Sequence, residues 1–105
     1  MQDNYPVVIN VSLDDENPKI LFLSVEAELK KAEDPREKRA QLGRIFGTLN
    51  ILAMGLRAKI IDLNKKEPFP NAYQRSVRFF SWYEFDTKEL ANRFLDALKN
   101  AGTGN

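Results

Sequence analysis

The chain has no cysteine and no histidine among its 105 residues. Without thiols there can be no disulfide, no thiolate nucleophile and no cysteine-bound zinc. Without imidazole, the side chain whose ordinary pKa lies closest to neutrality is missing. Histidine triads, histidine metal sites and histidine acid–base chemistry are therefore excluded. Catalysis would fall to carboxylates, lysine, tyrosine or hydroxyls, so the residues favour binding over chemistry and imply no cofactor and no metal. An excess of one charge is also lacking. Sixteen basic residues face fifteen acidic ones, for a net charge of +1, whereas proteins that live on duplex DNA show a clear basic excess. The longest nearly apolar run, IFGTLNILAMGL from Ile45 to Leu56, is interrupted by Thr48 and Asn50 and falls well short of the roughly twenty residues a membrane helix needs. The opening MQDNYPVVIN carries no basic cluster and no long apolar stretch, unlike a secretory signal. A cytoplasmic protein with no membrane association is expected.

What is present fits one domain over residues 1–105, with an ordered core over 3–102 and a frayed tail at 103–105. Apolar residues make up 43% and charged residues 30%, too apolar a balance for a disordered chain. PVVINVSL alternates, with Val7, Ile9, Val11 and Leu13 on one face, and reads as a half-buried strand. DDENP, Asp14 to Pro18, is turn chemistry; it lacks the alternating oxygens and distal glutamate of a calcium loop. ILFLSVEAEL keeps period two, with Leu21, Leu23, Val25, Ala27 and Leu29 on one face. Its composition would also suit a helix, but the alternation and the preceding turn decide for a hairpin.

A helix start follows. Asp34 can cap, Pro35 suits the first turn, and Glu37 sits where a capping-box acid reaches back. Leu42, Ile45, Phe46, Leu49, Leu52, Ala53 and Leu56 form its core face, and Gly55 helps end it. AKIIDL is a short strand, and NKKEPFPNAY is a loop held extended by Pro68 and Pro70. Arg75 to Phe85 is a fourth strand. Asp86 and Glu89 then repeat the Asp-x-x-Glu spacing before a second helix, with Leu90, Ala91, Phe94, Leu95 and Leu98 inward and Gly102 as its stop. The charge runs KK, REKR and NKK interleave with acids and read as solvated surface.

The order ββαββα implies an α+β two-layer sandwich, a four-stranded antiparallel sheet with two helices on one face. Moving the first strand to the end gives βαββαβ, so the chain reads as a circularly permuted ferredoxin-like domain. One sheet face is then left open. If Leu21, Leu23 and Val25 face the helices, Phe22 points away. Phe80 and Trp82 join it, with Arg78 and Glu84, while Val77, Phe79, Tyr83 and Phe85 point inward. Five of the chain's aromatic residues fall between Phe79 and Phe85.

RFFSWYEF, Arg78 to Phe85, is similar to the longer signature of the RNA recognition motif, a basic residue followed by alternating aromatics. LFLSV, Leu21 to Val25, resembles its shorter signature, and DTKELANRFLDALKNAG resembles its second helix. The resemblance implies base stacking on Phe22, Phe80 and Trp82 and a phosphate or base contact from Arg78. The chain departs from that pattern at Phe79, where the family has glycine, and in its strand order.

Glu26, Glu28 and Glu84 share the same face, which favours a protein cover. That cover could be a second copy of the chain, or the loop with Phe69 and Tyr73 folding back. Helix 1 points to association too: Ile51 and Met54 add apolar surface off the core line, and Gly43 and Gly47, four apart, would allow a neighbouring helix to come close. The expectation is a non-catalytic interaction domain forming a homodimer or binding another protein. RNA or single-stranded DNA binding is the alternative. A small-ligand site, or a cofactor-free enzyme of the dimeric α+β-barrel type with Trp82 and Tyr83 walling a cavity, comes third.

Overall fold

The computed structural model describes residues 7–61 and 75–100. The proline loop with Phe69 and Tyr73, the stop at Gly102 and the tail at 103–105 lie outside the described residues. In chain order the elements are β1 (Val8–Leu13), β2 (Ile20–Glu28), α1 (Pro35–Gly55), β3 (Lys59–Ile61), β4 (Ser76–Glu84) and α2 (Lys88–Leu98). The four strands form one sheet in the order β1-β2-β4-β3, with every neighbouring pair antiparallel. The aromatic strand β4 is therefore central, beside β2, and the edges are β1 and the three-residue β3.

The β1–β2 turn closes on its own polar atoms. Asp14 N–H donates to the Ile20 carbonyl at 2.8 Å and Ile20 N–H to the Asn17 carbonyl at 2.9 Å. The Asn17 side-chain oxygen accepts from Lys19 N–H at 3.2 Å. Period two then sorts the side chains. Leu21, Leu23, Val25 and Ala27 of β2 join Val77 and Tyr83 of β4, and Phe85 just beyond it, in one buried layer. Onto it α1 presents Leu42, Leu49 and Ala53, and α2 presents Ala91, Phe94 and Leu98. Both helices therefore cover the same sheet face, the two-layer α+β sandwich the alternation predicts. Leu21, Leu23, Val25 and Leu42 have no exposed surface, and each stabilises the fold by about 1.5–3 kcal/mol through burial.

The helix ends differ in detail from the sequence reading. Asp34 caps α1 as expected, accepting Arg36 N–H at 2.9 Å, with Pro35 in the first turn. The second anchor is Glu33 in place of Glu37. Its carboxylate accepts Lys30 N–H at 2.8 Å and pairs with the buried Lys38 ammonium at 2.9 Å. The α2 cap is Thr87, which accepts Leu90 N–H at 3.2 Å; Asp86 is one residue too early. At the end of α1 the left-handed residue is Arg57, with φ 64°, and not a glycine. Arg57 N–H reaches the Met54 carbonyl at 2.9 Å and Ala58 N–H the Ala53 carbonyl at 3.1 Å, the paired bonds of a Schellman ending. Leu52, expected inward, is 53% exposed. The apolar stripe of α1 is wider than the sheet beneath it.

Candidate binding surfaces

The strand register arranges the open sheet face in rows. Antiparallel partners share a face, so Val8, Glu26 and Arg78 stand abreast, as do Asn10, Ser24 and Phe80. The next row runs Ser12, Phe22, Trp82, Ile61 across all four strands; Ile20, Glu84 and Lys59 follow at one end of the face, and Glu28 and Ser76 stand at the other. The predicted set Phe22, Arg78, Phe80 and Trp82 thus comes together. Phe22 lies 4.6 Å from Trp82, centroid to centroid, with the ring planes at 54°. It lies 6.3 Å from Phe80, whose ring carries the Arg78 guanidinium at 4.6 Å. All three rings are half-buried. Glu26 and Glu84 each stand opposite a base, Arg78 and Lys59 respectively, and Glu26 also accepts from Asn10 Nδ2 at 3.1 Å.

At one end of the aromatic row, where β1 enters its turn, a shallow cavity of about 360 Å³ is lined by Ser12, Leu13, Asp14, Asp15, Phe22 and Trp82. The Trp82 indole Nε1 is buried and has no hydrogen-bond partner among the described residues. The two carboxylates were legible only as turn formers. Their place beside Trp82 follows from a register that puts Ser12 opposite Phe22 and Phe22 opposite Trp82.

A second surface lies on α1. The predicted Ile51 and Met54 are 71% and 58% exposed, and Leu52 on the same helix is exposed as well; Ile60 of β3, 46% exposed, follows in the chain. Gly43 does not share that exposed side: a Cβ there would meet the Phe79 ring at 3.6 Å, whereas Gly47 has nothing within 4 Å. Phe79 is an inward ring, stacked on Phe46 at 5.6 Å with the Arg39 guanidinium 5.5 Å above it.

Beneath these surfaces a polar pair spans the layers. Tyr83 is fully buried; its hydroxyl donates to Asn50 Oδ1 of α1, and its ring meets Phe94 of α2 edge-on at 6.0 Å. Burial pushes the phenol up to about 12, partly offset by the Ser81 hydroxyl. Tyr83 therefore belongs to the core, so it does not share a cavity with Trp82 on the opposite face. Among the described residues no cluster of acids could hold a metal ion, and no helix is long and apolar enough to cross a membrane. Comparison of the chain with protein-family models, with curated proteins and with solved structures returns no match.

Proposed function

We propose that this chain is a non-catalytic interaction domain that self-associates, with a second copy of itself seated on the C-terminal half of α1 and the neighbouring β3. The observation that carries the reading is the clustering of exposed apolar side chains. Among the described residues five large hydrophobics are exposed, and four of them (Ile51, Leu52, Met54 and Ile60) fall within ten consecutive residues, three on the end of α1. Scattered apolar side chains on a surface mean little, but a concentration of them on one helix end is a recurrent mark of an interface. Ile51, Leu52 and Met54 sit on a regular helix, so little backbone entropy opposes docking. A net charge of +1 sets up almost no repulsion between copies. The open sheet face is the weaker candidate for this contact, because its rings already cover one another and Arg78 lies on Phe80. The strand order supports a permuted ferredoxin-like frame, and a cytoplasmic setting suits a chain without cysteine.

Light scattering at high micromolar concentration is expected to report a dimer, with Ile51→Lys plus Met54→Lys giving a folded monomer by circular dichroism. A wild-type chain that stays monomeric at that concentration overturns the reading. Single-stranded nucleic acid remains the second reading, favoured by the continuity of Arg78, Phe80, Phe22 and Trp82 on one face.

A further inference from the structure

We infer that the corner where the aromatic row meets the β1–β2 turn binds an organic cation, a methylated ammonium head group carried by a small molecule or a side chain. Two rings and two carboxylates converge there. Phe22 and Trp82, with planes at 54°, wall the 360 Å³ cavity, and Asp14 and Asp15 line it from the turn. Aromatic faces carry the negative end of a quadrupole and attract cations, most strongly at tryptophan. Carboxylates add a field of the same sign. No lysine or arginine lines the cavity, and Asp14 and Asp15 make no ion pair among the described residues. No cation in the lining itself therefore offsets the two carboxylates.

That combination discriminates among ligand classes. A phosphate would be repelled by Asp14 and Asp15, which disfavours a nucleic-acid backbone at this corner. A neutral apolar group would gain from the rings but nothing from the acids. A bare ammonium would leave a strong hydration shell behind, whereas a methylated one offers apolar methyls to the rings and delocalised charge to the acids. The cavity is shallow and open to solvent, so it would take a head group and leave the rest of the ligand outside.

Trp82 is the only tryptophan, so its emission reads the site directly. The expected result is a saturable change on adding choline or a peptide with trimethyllysine. The uncharged isostere 3,3-dimethylbutan-1-ol should bind about tenfold more weakly or not at all. The double variant Asp14→Asn, Asp15→Asn keeps side-chain size and removes the charge, and should weaken choline binding about tenfold with an unchanged circular dichroism spectrum. A peptide that binds better than choline marks a side chain as the source of the cation; equal binding marks the head group alone. No saturable change with either cation overturns the inference. So does equal binding of the isostere, or choline affinity unaltered in the double variant. A salt-sensitive quench by single-stranded RNA in place of choline also overturns it, and assigns the rings to nucleic acid. None of these readouts depends on oligomeric state.

Discussion

Tyr83 touches both helices from the middle of the sheet, and its chemistry makes a prediction about alkaline solution. Burial raises its phenol from the ordinary 10 to about 12. The folded chain therefore keeps a proton that the unfolded chain would release, and the sign follows. The contribution of this group is fully present below about pH 10 and is lost as pH rises through about 12. Ultraviolet titration is expected to show one tyrosine ionising late, together with unfolding, and Tyr83→Phe should remove that step. At neutral pH the same variant leaves Asn50 without its donor and should cost about 1–2 kcal/mol in urea denaturation. Three tyrosines titrating together near pH 10 would contradict the burial argument.

At the scale of elements, α1 offers two positions where stability can be gained. Arg57 adopts the left-handed conformation that ends the helix, a strain of about 1 kcal/mol for any residue with a Cβ. Arg57→Gly should therefore raise stability by up to about 1 kcal/mol despite the added chain entropy. Gly47 lies mid-helix with open space around it, so Gly47→Ala should add a similar amount, about 1 kcal/mol, through helix propensity. Urea midpoints test both, and a loss of stability in either variant refutes the local reading. Strand β2 and the start of α1 were legible because period two and the Asp34–Pro35 pair are strong local signals. The α2 cap was not, since Asp86 and Thr87 are both good capping residues, and only the backbone decides which turns first. Leu52 misled for a different reason: helical spacing shows that an apolar stripe exists, not how wide a surface lies beneath it.

For the whole molecule, the sheet order fixes where resistance to opening lies. β2 and β4 each have a strand on both sides and the helices above, while β1 and β3 are edges. Hydrogen exchange should be slowest at β2 and β4 amides and fastest at β3, which has only three residues to lose. Slow exchange confined to β1 would contradict this order. The same register explains what the linear sequence could and could not reveal of the site. Alternation alone put Phe22, Phe80 and Trp82 on one face. The proximity of Asp14 and Asp15 to Trp82 needed strand pairing between segments some seventy residues apart. The Tyr83–Asn50 bond needed the helix placed on the sheet.

Those two acids also bear on a hazard common to every open sheet. Among the described residues β1 is an edge strand of six residues, and two of its three inward-facing residues, Ile9 and Val11, are β-branched. Such an edge is a template for stacking identical segments. Parallel in-register stacking, as in amyloid, would bring Asp14 onto Asp14 and Asp15 onto Asp15 at a spacing of about 4.8 Å, rung after rung. The carboxylates that give the aromatic corner its charge therefore act as gatekeepers against fibre growth. Any drift toward a neutral ligand that replaced them would strip that protection from the strand beside it.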